Sequence, residues 1–163
     1  MKQNVFLTGP RQIGKSTALR CFLAGYPGRI GGFLTRWNPD GQTLHMMSAA
    51  APEGFTEENI IARRVNSGLQ PDPAAFDRIG CQLLNVPADL LVMDELGFME
   101  REAEAFCTRV WQCLSADIPV VGVVRQTGSI FMDQLQQDPN TAIWHLDGSN
   151  RDDIPEQLTE NYR

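Results

Sequence analysis

The stretch Gly9-Pro10-Arg11-Gln12-Ile13-Gly14-Lys15-Ser16-Thr17 decides the fold. It follows a short apolar run, Val5-Phe6-Leu7, and leads into Ala18-Leu19-Arg20-Cys21-Phe22-Leu23, whose pattern is helical. Strand, glycine-rich loop and helix in that order make a phosphate-binding loop. Gly9 lets the chain leave the strand sharply, and Gly14 permits close backbone approach to an anion. Successive N–H groups then converge at a helix N-terminus, where the macrodipole also favours negative charge. Residues 9–17 are therefore read as the nucleotide-binding segment. Lys15 would reach the outer phosphates as a point charge, and the Ser16 hydroxyl would ligate Mg²⁺, a hard cation that keeps several waters. The chain has 14 basic residues but only two lysines, Lys2 and Lys15, which sharpens the choice of Lys15. Gln12 stands where many such loops carry a further glycine. A chance turn with these four fixed positions arises in under roughly one chain in a hundred of this length.

At 163 residues the chain is expected to form a single domain, 1–163, with a substantial core. A net charge of −6 with no basic run argues against binding a nucleic-acid backbone, and no nucleic-acid partner is expected. No window has the length of a membrane span, so no membrane partner is expected either. The first strand begins almost at once, so no signal peptide is expected, and a cytoplasmic location follows. Cys21, Cys81, Cys107 and Cys113 form no close pair and sit among apolar helical neighbours, so they read as buried reduced thiols. His45 and His145, isolated in strand-like runs, read as structural. The sequence names no protein partner.

Working outward, residues 3–8 are the first strand and 15–25 its helix, broken by Pro27-Gly28. Two strand-like runs, 29–37 and 42–49, flank Asn38-Pro39-Asp40-Gly41, a strong turn signal, and read as a hairpin. A hairpin directly after the first helix predicts an antiparallel extension of a mainly parallel sheet. Pro52, Gly54, Asn66, Gly68 and Pro71 break up 51–72. Thr56 or Pro73 could each begin a short helix, and Arg63-Arg64 read as a solvated pair. From 73 to 84, Phe76, Ile79, Leu83 and Leu84 share a helical face. Residues 89–94 and 118–124 are continuous apolar runs, the signature of buried parallel strands. Between them, 99–115 is expected to be helical, with Met99, Ala103, Phe106, Val110 and Leu114 in one stripe. A short helix at 129–137, a strand at 141–146 and a helix around Ile154, Leu158 and Tyr162 complete the pattern.

Asp94-Glu95 ends the strand at 89–94. In a parallel α/β sheet, ligands gather at the carboxyl ends of strands. Asp94 is thereby placed to hold Mg²⁺ beside Ser16, through water, and Glu95 to orient an attacking water or accept its proton. An ordinary polar strand end followed by an acidic helix start would leave the same residues, since Glu95 and Glu100 also suit a helix N-terminus. By analogy with nucleotide hydrolases that carry a glutamate beside the metal-binding aspartate, the strand at 118–124 should lie between the first strand and 89–94. Arg125 then emerges near the terminal phosphate, as a catalytic arginine or as a surface residue. Arg11 is a second candidate; Arg36 and Arg101 are weaker ones.

The chain resembles the small P-loop nucleoside-triphosphatase family that includes thermophile enzymes and the human cancer-related nucleoside-triphosphatase. The segments that carry the resemblance are 9–17, GGFLTR at 31–36, Gly41 in its turn, DELGFME at 94–100 with Phe106, PVVGVV at 119–124 and NRDDIP at 150–155. They run in the family's order along nearly the whole chain. Ser16 replaces the common Thr, Trp37-Asn38 interrupts the charged pattern after Thr35-Arg36, and 51–85 matches poorly. The resemblance implies a RecA-like α/β NTPase with helices on both faces of the sheet, hydrolysing ATP, GTP and other nucleoside triphosphates with Mg²⁺. It implies phosphate binding at 9–17, metal binding at Ser16 and Asp94, and catalysis at Glu95. It also points to Asn150 and Arg151 near the base, although a helix N-cap with a solvated neighbour would look the same. Lys15 and Arg125 complete the expected catalytic set. The rival activities are a small-molecule kinase, whose acceptor pocket only 51–85 could supply, and a slow nucleotide-dependent binding switch.

Overall fold

In the computed structural model, residues 2–97 and 99–163 are described; Met1 and Phe98 of the DELGFME stretch lie outside them. Among the described residues, eight strands form one sheet, in the order β5-β4-β3-β2-β6-β7-β1-β8. The strands are β1 (Asn4–Thr8), β2 (Ile30–Trp37), β3 (Thr43–Ser48), β4 (Ile60–Val65), β5 (Gly68–Pro71), β6 (Leu90–Leu96), β7 (Val120–Val124) and β8 (Thr141–His145). From β2 to β8 every neighbouring pair is parallel. From β2 outward to β5 every pair is antiparallel. This is the mainly parallel sheet with an antiparallel extension that the hairpin predicted, and β7 sits between β6 and β1 as expected.

The apolar strands alternate between two buried layers. Val5, Leu7, Leu90, Val92, Val121 and Val123 pack beneath helices α1 (Lys15–Ala24) and α5 (Ile154–Asn161), through Leu19, Phe22, Ile154 and Leu158. Phe6, Leu91, Met93, Val120 and Val124 face the other way, toward α2 (73–84), α3 (Glu104–Ser115) and α4 (Met132–Gln137). Because side chains alternate along a strand, a strand buried on both faces must be apolar at nearly every position. Asn4, at the start of β1, is one of the buried polar exceptions. Its amide nitrogen donates to Leu114 O and Thr141 Oγ1 and its oxygen accepts from Val120 N–H, so its burial leaves no unmet partner there.

Three expectations need correction. The segment after the first hairpin holds more than the short helix expected at Thr56: Thr56 caps one 3₁₀ turn over Glu57–Asn59, and β4 and β5 add a second hairpin. Its breakers are compatible with strands because β5 is a four-residue edge strand, where Pro71 forfeits no ladder bond in the sheet interior. The helix expected from 99 begins at Glu104; residues 99–103 form turns, with Ala103 N–H donating to Glu100 O at 2.9 Å. Met99 still packs on the core from this turn. Of the four cysteines only Cys113 is buried; Cys81 and Cys107 are half-buried and Cys21 is exposed on the outer side of α1. All are free thiols. His45 is structural, as expected: its ring bonds to Thr43 and Asn59. Residues 73–84 are one helical segment that widens to π geometry over Phe76–Gly80, capped by the Asp72 carboxylate accepting from Ala75 N–H.

Candidate active site

β1 delivers the chain to Gly9, and the loop returns it to α1 with Gly14 as the N-cap residue. A Cβ at Gly9 would lie 2.7 Å from Leu146 O, so the loop and the end of β8 approach more closely than any side chain permits. Gly14 takes φ 108°, and nothing lies within 4 Å of where its Cβ would be. Gln12 has φ 61°, the left-handed region that the more common glycine enters freely. The Lys15 ammonium lies across the loop, donating to Gly9 O at 2.6 Å and Pro10 O at 3.2 Å.

The carboxyl end of β6 meets this loop. Asp94 is 5% exposed, and its Oδ1 accepts from Ser16 Oγ at 3.1 Å. Glu95 follows, its N–H donating to Thr35 Oγ1 on β2 at 3.3 Å. Burial pushes the Asp94 carboxyl up to about 7, against the Ser16 hydrogen bond and with help from the Glu95 charge. Burial likewise raises Glu95, opposed by Lys15, Arg125 and Arg11. Lys15 is lowered by burial despite the two carboxylates beside it. Desolvation thus outweighs charge pairing for all three groups. Such strain is characteristic of sites that hold charge for a ligand rather than for the fold.

These groups line one cleft of about 690 Å³. Gly9, Arg11, Gln12, Gly14, Lys15, Ser16 and Thr17 form one end, and Asp94, Glu95 and Arg125 the middle. Arg125 leaves the end of β7, where its N–H donates to Leu96 O at 2.9 Å. Pro10 and Ile13 are off the wall; Ile13 packs on the layer beneath α1. Asn150 and Arg151 also lie outside it. The Asn150 side chain ties its own loop, donating to His145 O and accepting from Asp147 N–H, each at 2.8 Å. Arg151 is exposed beside Asp152. The loop nonetheless adjoins Gly9 through Leu146, whose N–H donates to Thr8 O at 2.8 Å. Arg36 is close enough to Asp94 to oppose its protonation; Arg101 is exposed and off the cleft wall.

Residues 4–159 match a family model described as NTPase. The chain belongs to the NTPase family. Similarity to curated relatives runs over almost all of this NTPase. The nucleoside-triphosphatase THEP1 of Methanosarcina barkeri is 26% identical, covering 98% of this chain and 97% of the relative. That of Natranaerobius thermophilus is 24% identical, covering 98% and 96%. Among solved structures, THEP1 from the hyperthermophile Aquifex aeolicus matches with a TM-score of 0.81 at 17% identity, covering 98% of this chain and 99% of that one. A human cancer-related nucleoside triphosphatase matches with a TM-score of 0.73 at 18% identity, covering 98% and 97%. Both have the fold of this NTPase.

Several wall residues were not expected from sequence. Thr35 was visible only as part of GGFLTR. Glu100 read as a helix-start acid, yet it is 3% exposed, lines the cleft, and its Oε1 has no hydrogen-bond partner among the described residues. Arg64 read as solvated, yet its guanidinium carbon lies 5.1 Å from the Trp37 ring centre and its Nε donates to Gly41 O at 3.0 Å. Trp37, Leu44, Ile61, Leu69 and Phe76 join it in the far half of the cleft.

Proposed function

We propose that the chain hydrolyses nucleoside triphosphates, ATP and GTP among them, to the diphosphate and phosphate in a Mg²⁺-dependent reaction. The observation that carries this reading is the convergence of Lys15, the Ser16–Asp94 pair and Glu95 on one cleft at the mouth of the loop. The names of the curated relatives agree with it. Among the described residues no cluster of three or more His, Cys, Asp or Glu could hold a metal alone. One hydroxyl and one carboxylate, 3.1 Å apart, suit a small hard cation that completes its shell with water and phosphate oxygens. When bound, Mg²⁺ would offset charge on the outer phosphates.

The chain's own groups do the rest. Loop N–H groups and Lys15 bind the triphosphate and oppose the charge developing on the transferred group. Thr35 fixes the Glu95 backbone, so the carboxylate faces the cleft from a rigid strand end. Glu95 holds the attacking water and takes its proton; the water oxygen bonds to the terminal phosphorus, the bond from that phosphorus to the bridging oxygen breaks, and the electron pair leaves with the diphosphate. Arg125 acts as a cationic stabiliser from the neighbouring strand end. Steady-state phosphate release from ATP and from GTP, with Mg²⁺ and with excess chelator, tests the proposal. Release that requires Mg²⁺ and no added acceptor is expected. Phosphate transfer only to an added alcohol would replace the hydrolase by a kinase.

A further inference from the structure

The cleft is longer than hydrolysis requires. The loop leaves β1, while Asp94 and Glu95 stand on β6, with β7 between. A triphosphate whose terminal phosphate sits between Lys15 and Glu95 runs back along the loop toward α1 and β8. Everything from β2 outward therefore lies past the terminal phosphate. With strands about 4.8 Å apart, the cleft continues some 14 Å beyond β6 to reach β4. That far half has its own chemistry. Leu44, Ile61, Leu69 and Phe76 give it an apolar wall, and Trp37 and Arg64, both exposed, stand over it. The contact between the guanidinium and the indole and the bond to Gly41 O hold Arg64 in place. Glu100 lines the same cleft, its Oε1 buried and without a hydrogen-bond partner among the described residues.

We propose that this outer compartment binds a second small molecule beside the nucleotide: a flat aromatic anion that lies along Trp37 and Leu69 and pairs with Arg64. The direction assigned to the triphosphate rests on the hydrolytic reading above; the compartment's chemistry does not. Aromatic stacking and a positioned guanidinium are the groups that recognise such ligands. The compartment opens onto Glu95, so its occupant stands where water approaches the terminal phosphate.

The test uses 8-anilinonaphthalene-1-sulfonate, an aromatic anion whose fluorescence rises on leaving water, titrated into the full chain. The proposal expects saturable binding with and without a non-hydrolysable ATP analogue and Mg²⁺, the two dissociation constants agreeing within about threefold. Arg64→Gln should weaken binding about tenfold or more, the worth of one charge-assisted contact. Trp37→Leu, at the exposed end of β2, should weaken it as well, with far-ultraviolet circular dichroism checking that both variants are folded. Lys15→Ala should leave it unchanged. Competitive displacement by the nucleotide analogue would overturn the proposal, because the compartment would then hold the nucleotide itself. Undiminished binding to folded Arg64→Gln and Trp37→Leu would overturn it too. Probe binding needs no turnover, so a chain that binds the probe but releases no phosphate would refute the hydrolytic reading alone.

Discussion

Neutralising Glu100 should make the protein more stable at high pH. The side chain is 3% exposed and its Oε1 has no partner among the described residues. Burial pushes its carboxyl from an ordinary 4.5 up to about 7, against hydrogen bonds from the Gly97 and Glu100 backbone and with a smaller push from Glu95. The folded state therefore binds a proton that the unfolded chain has released between these values. A carboxyl raised in this way favours the native state below about pH 4.5, and that contribution is lost as pH rises through about 7. At 1.36 kcal/mol per pH unit, the loss is on the order of 3 kcal/mol. Glu100→Gln keeps the shape and stays neutral, so it should match the parent at pH 4 and exceed it by up to about 3 kcal/mol at pH 8. Urea denaturation of the metal-free protein at both pH values measures this. Asp94 and Glu95 are raised in the same sense and are present in both proteins, so the difference between parent and variant reports Glu100 together with its smaller coupling to Glu95. Parallel curves, or a variant less stable at pH 8, would refute the assignment of a desolvated carboxyl at this position.

Lys15→Ala should weaken Mg²⁺–ATP binding by roughly 10- to 150-fold, the worth of one charge-assisted contact of 1.5–3 kcal/mol, without unfolding the chain. Titration calorimetry reads the affinity, and an unchanged value in the folded variant would remove Lys15 from the phosphate site. Arg125→Ala should slow phosphate release with little effect on nucleotide affinity, by up to the roughly 10³–10⁵ seen for arginine fingers. A change under about twofold would return Arg125 to the surface.

The sheet was legible because its strands carry a pattern that burial on both faces imposes. Val5-Phe6-Leu7, Leu90 to Met93 and Val120 to Val124 have no polar alternation to confuse, and each is buried. The turn Asn38-Pro39-Asp40-Gly41 fixed the first hairpin for a local reason, since Gly41 supplies φ 73° where it closes. The second hairpin was hidden because β4 buries its first three residues and exposes its last three, and β5 has four residues with none buried, so apolar alternation is absent and only the breakers show. The start of α3 was misplaced because Met99 and Ala103 fit the helical stripe while being packed by a preceding turn. In the cleft, loop, Ser16, Asp94 and Glu95 could be found from spacing, since a phosphate site imposes its order along the chain. Thr35, Arg64 and Glu100 could not, because they reach the same cleft from β2, β4 and the turn after β6. Only the strand order, which no local pattern encodes, brings them there.

The central claim is that Glu95 activates water at the terminal phosphate while Ser16 and Asp94 serve the metal. Single-turnover phosphate release from ATP by Glu95→Gln, compared with Asp94→Asn and the parent across a Mg²⁺ titration, tests it most directly. The account predicts that Glu95→Gln lowers the rate by about 10²–10⁴, the usual worth of a positioned base, with nucleotide affinity kept. Asp94→Asn should instead raise the Mg²⁺ concentration needed as well as slow the reaction. Release from Glu95→Gln at the parent rate would contradict the account.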